Sequence, residues 1–187
     1  DYYKNGKGQE YYIDQVINQN STKQKALKDV MLNYDQETGI WPEVAGYNML
    51  VGNDMLEIFC LMDKTLNNNL LGQFPIVEKA NLAIFQYLFP NGFTVSYGDA
   101  KHSKIRFNAL EMLIQQFRKY GQTEKEKLIT GQLKRFINEG AYKRDEIKSM
   151  FQLFFYVEEL MDVPAAESFS DLVTPTFYAP NVSWVVQ

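Results

Sequence analysis

The chain has one cysteine, Cys60, and one histidine, His102, in 187 residues. Two cysteines are needed for an internal disulfide, so none can form, and no Cys/His cluster exists for a structural zinc. A metal centre needs several converging ligands; none is expected, and no cofactor is implied. Cys60 sits among Phe59, Leu61 and Met62 and reads as a small buried hydrophobe; on its own it leaves the redox compartment open. No apolar run approaches the ~20 residues of a membrane-spanning helix, so no membrane partner is expected. A charge excess is missing too. Nineteen Lys and Arg stand against 23 Asp and Glu, a net charge of −4, which gives no support to nucleic-acid binding by bulk charge. Nor is there a fixed-period repeat of the TPR or ankyrin kind.

Aromatic residues are plentiful. Thirteen Phe, twelve Tyr and two Trp make up 14% of the chain. Phenol rings stack on sugar faces and donate hydrogen bonds from the same side chain, which suits a carbohydrate-handling surface. Filling a helical core is the simpler account of any single ring. The 45% apolar and 22% charged content is that of an ordinary globular chain, not a disordered one.

Helical periodicity dominates. Glu10 to Asn18 forms a short helix candidate. Ser21 or Thr22 can cap a second, in which Ala26, Leu27, Val30, Met31 and Tyr34 share one face. Asp35 to Gly39 breaks it. A long helix is predicted from Val44 to Leu66, ended by Asn67, Asn68 and Asn69. Another starts at Pro75. Three more run over Ser103–Tyr120, Glu124–Glu139 and Asp145–Met161, joined by short loops that make neighbours antiparallel. Strand signal is confined to 93–97 and 174–187. The fold class is therefore mainly α: antiparallel helical hairpins, as in part of an α/α toroid or in a plain bundle, with a short β segment at the C-terminus.

The ends look cut. Asp1 opens the chain without Met, charged n-region or apolar h-region. The run from Phe177 to Gln187 ends as a strand without a partner, and a lone strand leaves its backbone groups unpaired. Residues 1–172 are expected to form the helical part, and 173–187 the first strand or linker of a following β domain. A ring so truncated would expose apolar helix faces and self-associate.

Three segments are more specific than the helices: Gly39-Ile40-Trp41-Pro42-Glu43-Val44-Ala45-Gly46-Tyr47-Asn48, Phe89-Pro90-Asn91-Gly92-Phe93-Thr94-Val95-Ser96-Tyr97-Gly98-Asp99, and Phe177-Tyr178-Ala179-Pro180-Asn181-Val182-Ser183-Trp184. In that order and spacing, from about residue 20 onward, the chain resembles the heparinase II/III-like polysaccharide lyases. The resemblance implies the second half of an α/α toroid, the start of a β-sandwich domain, an acidic polysaccharide as partner, and a periplasmic or secreted location. It also implies that the group neutralising the substrate carboxylate comes from helices outside this chain, so that this piece alone would be inactive.

Such enzymes cleave uronate glycosides by β-elimination. A base takes the C5 proton, an acid protonates the departing O4, and a polar group offsets the charge that develops on the carboxylate. A tyrosine can give or take a proton. With a reference pKa of ~10 it needs a cation or strong donors nearby to act as a base near neutrality. Tyr47, at the start of the long helix and shortly after Trp41-Pro42-Glu43, is the catalytic candidate; by resemblance it occupies the proton-transfer position. The alternative is a ring that packs locally. Glu43 can orient a substrate hydroxyl, or sit as a first-turn acid favoured by the helix dipole. Trp41 can stack on a sugar or plug its loop onto the helix below. Asn48 falls where some relatives carry His. His102, with Lys101, Lys104 and Arg106, forms a basic cluster that can meet an acidic glycan or simply be solvated. Asp99 reads as a turn and cap residue. These residues, Trp41, Glu43, Asn48 and His102, are the substrate-binding candidates. Two other classes stay open: a toroid glycoside hydrolase using two carboxylates from Glu43, Asp54 and Glu57, and a non-catalytic glycan-binding or scaffold protein.

Overall fold

The computed structural model describes residues 6–96, 98–146, 148–180 and 184–186. Tyr97, Ile147 and 181–183, which belong to predicted segments or motifs, lie outside these, as do the side chains of Phe151 and 184–186. The fold is mainly helical. In chain order the helices are α1 (Gln9–Ile17), α2 (Leu27–Met31), α3 (Ala45–Leu66), α4 (Leu70–Gln73), α5 (Ile76–Ala83), α6 (Phe107–Lys119), α7 (Thr123–Asn138) and α8 (Met150–Phe154). A 3-10 turn, Ile84–Tyr87, extends α5. Among the described residues no helix is long and apolar enough to cross a membrane.

The centre of the molecule is α3. It packs against α4, α5 and α6 and buries Met55, Leu56, Phe59 and Cys60. Its length follows from its ends. Asn67 takes a left-handed conformation, φ 52°, and stops it, a common use of Asn at a helix terminus. Asn69 then caps the single turn of α4, its Oδ1 accepting from Gly72 N–H at 2.8 Å. The helices α6 and α7 are joined through Gly121, φ 66°, and close over Leu110, Met112, Leu113, Ile114, Phe117, Ile129, Leu133 and Phe136, all nearly inaccessible. Burying each such side chain contributes about 1.5–3 kcal/mol.

Three sequence expectations are corrected. The helix expected from Ser103 begins at Phe107. Thr94 N–H donates to Ser103 O at 2.8 Å, Ser103 N–H donates to Thr94 Oγ1 at 3.2 Å, and Lys104 pairs with Phe93. The backbone of 103–104 is thus committed to an extended pairing and cannot join the helix. The helix expected over Asp145–Met161 shrinks to α8. Side chains from other helices take the backbone groups that a longer helix would use. Lys64 Nζ donates to Phe154 O (2.6 Å), Gln115 Nε2 to Tyr156 O (3.0 Å), Arg118 Nη2 to Glu159 O (2.8 Å), and Val157 N–H donates to Glu111 Oε2 (2.6 Å). Phe155 and Val157 are both buried, two residues apart, the spacing of an extended segment. Finally, the terminal strand has a partner: β1 (Phe177–Ala179) pairs antiparallel with β2 (Trp184–Val186), Tyr178 opposite Val185.

Candidate active site

The loop before α3 is shaped by Asp35, which is fully buried. Its Oδ1 accepts from Thr38 N–H (2.9 Å) and Thr38 Oγ1 (2.7 Å), while Asp35 N–H donates to Ile40 O (2.8 Å). Gly39 completes the turn at φ 78°, and a Cβ there would lie 2.4 Å from the Lys79 carbonyl carbon. Only glycine fits both the conformation and the approach of α5. From α5, Lys79 Nζ donates to Gln36 O at 2.9 Å. The turn aims the following residues, Trp41 to Val44, at the N-terminus of α3.

Trp41 is half-buried, its ring edge-on to Tyr34 at 4.7 Å between centroids. Its backbone N–H donates to Asn48 Oδ1 at 3.2 Å. Asn48 is wholly buried, so the side chain expected to touch substrate lies behind the loop and ties it to the helix. Among the described residues Trp41 Nε1 and Asn48 Nδ2 have no hydrogen-bond partner and are buried, an uncommon condition for polar atoms. Glu43 is exposed and precedes the first helical turn.

Tyr47 is the third residue of α3 and is 44% exposed. Its hydroxyl donates to Asp99 Oδ2 at 3.4 Å, a long contact across 52 residues of sequence. The Gly98–Asp99 turn reaches α3 because Gly98, at φ 61°, leaves room against Val44, whose Cγ1 would be 3.0 Å from any Cβ. A carboxylate, not a cation, therefore faces the phenol. The sequence reads Asp99 as a turn and cap residue, and nothing local marks its contact with Tyr47. It caps no helix, since α6 starts eight residues later.

His102 is exposed, in the same loop. Its Nδ1 lies 2.9 Å from Thr94 O, and its ring is 6.1 Å from that of Phe89. A carbonyl only accepts, so Nδ1 carries the proton and Nε2 presents a lone pair when the ring is neutral. Its neighbours Lys104 and Arg106 turn to another face, described below.

Further along α3, Asp54 pairs with Arg106 at 3.4 Å. Glu57 Oε1 accepts from Asn53 Nδ2 (2.9 Å) and Asn108 Nδ2 (3.0 Å). Both carboxylates are occupied in fixing the 106–108 segment to α3. Among the described residues no group of three or more His, Cys, Asp or Glu side chains converges as a metal site would.

Neither the curated proteins nor the solved structures compared with the chain give a match. Residues 37–166, more than two thirds of the chain, match the family described as the endo-acting ulvan lyase 2nd domain. The matched stretch opens inside the Asp35–Gly39 turn, contains Tyr47, Asp99 and His102, and ends beyond the α6–α7 pair. The chain thus belongs to the endo-acting ulvan lyase second-domain family, a polysaccharide lyase family.

Proposed function

We propose that this chain is a domain of a lyase that cleaves a uronate-containing acidic polysaccharide by β-elimination, with Tyr47 as the proton-transfer residue. The observation that carries this is the exposed Tyr47 hydroxyl on the first turn of α3, held by Asp99, in a chain of polysaccharide lyase family. Tyr47 acts as the proton donor. Asp99 holds the hydroxyl until substrate binds; Tyr47 then turns its one proton from Asp99 to O4, which takes the electron pair of the breaking C4–O4 bond. His102 Nε2, left as a lone pair by the Nδ1 contact, accepts the C5 proton. The electrons of the C5–H bond form the C4=C5 double bond, and O4 leaves as a hydroxyl. His102 lies three residues from Asp99, so their Cα atoms are at most about 11 Å apart.

The resemblance to heparinase II/III-like lyases supports an α/α toroid, a periplasmic or secreted setting, and a carboxylate-neutralising group contributed from outside these residues. The hydrolase reading is disfavoured by Asp54 and Glu57, both held in structural pairings. Trp41 and Glu43 line the approach to Tyr47 in sequence and are proposed to contact the glycan, while Asn48 supports the loop from inside.

Ulvan is the first substrate to test, beside alginate, heparan sulfate and chondroitin. Elimination leaves a C4–C5 double bond that absorbs in the near ultraviolet; hydrolysis leaves none. Absorbance growth on ulvan in the complete enzyme, reduced about 10²-fold or more in Asp99→Asn, is the expected outcome. New reducing ends without absorbance would contradict the lyase reading.

A further inference from the structure

A second feature lies two turns along α3 from Tyr47. A groove of about 480 Å³ opens between the 104–108 segment and residues 140–143, with Glu146, Lys148 and Gln152. Among the described residues, four cations line it, Lys104, Arg106, Lys143 and Lys148, against one acid, Glu146. That is a local reversal of sign in a chain whose net charge is −4. The existing pairings are loose. Glu146 is shared between Lys143 and Lys148 at 3.3 Å each. Pairs this exposed contribute little, so an incoming anion can displace them at small cost. Among the described residues no carboxylate pairs with Lys104; its Nζ lies 5.5 Å from the Phe93 ring centroid.

The floor is aromatic and firmly anchored. Phe107 and Tyr142 stack with centroids 5.0 Å apart and planes at 23°. The Tyr142 hydroxyl donates to buried Glu111 at 2.8 Å, and Arg144 grips the same carboxylate at 3.0 and 3.2 Å. A rigid aromatic pair ringed by cations suits a sugar ring that carries a negative group, because the ring faces take the apolar side of the sugar and the ammonium groups its charge. Arg106 ties the groove to Asp54, seven residues beyond Tyr47 on α3 and about 10 Å away along the axis.

We propose that this groove is a second glycan subsite: Lys104 and Lys143 bind an anionic group, carboxylate or sulfate ester, on a sugar remote from the bond being broken, and the Phe107–Tyr142 stack supports that sugar's ring. The proposal rests on the lyase reading for its choice of ligand, but its test does not depend on turnover.

Calorimetric titration of the chain would use ulvan, polyglucuronate, dextran sulfate and neutral dextran as probes. The double variant Lys104→Ala/Lys143→Ala should bind ulvan about fivefold more weakly, the sum of two exposed charge contacts. Its affinity should also depend less steeply on salt. The Lys104→Arg/Lys143→Arg variant should restore binding, which a structural defect would not allow. Loss of polyglucuronate binding assigns the contact to the carboxylate, and loss of dextran sulfate binding to the sulfate ester; either supports the subsite. In the complete enzyme the alanine pair should raise KM on long chains by the same factor and leave kcat unchanged. Unchanged ulvan affinity in the alanine pair overturns the subsite even if lyase activity is present. Binding that depends on the two lysines without any eliminating activity keeps the subsite and rejects the lyase reading. Equal affinity of the wild-type chain for neutral dextran, or for single-stranded nucleic acid, would show a non-selective surface and overturn the proposal.

Discussion

Tyr47 and Asp63 sit on the same helix and are treated oppositely by their surroundings. Tyr47 reaches solvent and has one long hydrogen bond, to Asp99. Asp63 is 2% exposed and accepts from Lys119 Nζ (2.7 Å), Tyr120 hydroxyl (2.5 Å) and Gln116 Nε2 (3.2 Å). Burial pushes the Asp63 carboxyl up, but those three donors outweigh it and hold it below the usual carboxylate range. The fold therefore favours the ionised form. The stability this contributes is present above the unfolded value of ~3.9 and is lost as pH falls through the lower folded value. Urea midpoints across pH should show Asp63→Asn well below the wild type near neutrality, with the gap closing in acid. A gap that stayed constant with pH would mean that Asp63 does not titrate with folding. Neither residue's environment could be read locally. Tyr47 is the catalytic candidate from its sequence context alone, but its partner and those of Asp63 lie 52 to 57 residues away.

Helices with a clear apolar stripe and their own end signals were legible. Val44 to Leu66 was expected and Ala45–Leu66 is found, and Glu124–Glu139 became Thr123–Asn138. Both carry their information locally, in Asn67 at one end and the Gly121–Thr123 loop at the other. The segment after Arg144 carries a helical stripe as well, but it is overruled by tertiary contacts. Glu111 is the centre of that override: buried in α6, it accepts from Tyr142, Arg144 and Val157 N–H, while Arg144 also donates to Val157 O. Removing one partner of a buried pair leaves the other charge uncompensated. Glu111→Ala should cost about 3 kcal/mol in urea denaturation and speed amide exchange at Val157. A cost under about 1 kcal/mol would show that the 142–157 segment is held by its apolar residues, Phe155 and Val157, alone.

Taken together, α3 orders the functional surface. At its start the Asp35–Gly39 turn and the Gly98–Asp99 turn converge on Tyr47; two turns on, Arg106 docks through Asp54 and opens the cationic groove. The 98–108 segment thus runs alongside the helix, Asp99 opposite Tyr47, Arg106 opposite Asp54 and Asn108 opposite Glu57. A polymer laid along this line would meet the proposed proton donor first and the proposed cationic subsite next. The first two motifs contain Tyr47 and Asp99 but do not show how the chain runs between them. The pairing of 103–104 with 93–94, which straightens the chain before α6, depends on contacts between segments about ten residues apart, and helical periodicity in the same stretch concealed it.

The most direct test of the account is kcat on ulvan, followed by near-ultraviolet absorbance, for Tyr47→Phe in the complete enzyme with matched circular dichroism. Loss of the single hydroxyl should lower kcat by about 10²–10⁴-fold with binding of ulvan retained. Turnover within a few fold of wild type would contradict a proton-transfer role for Tyr47.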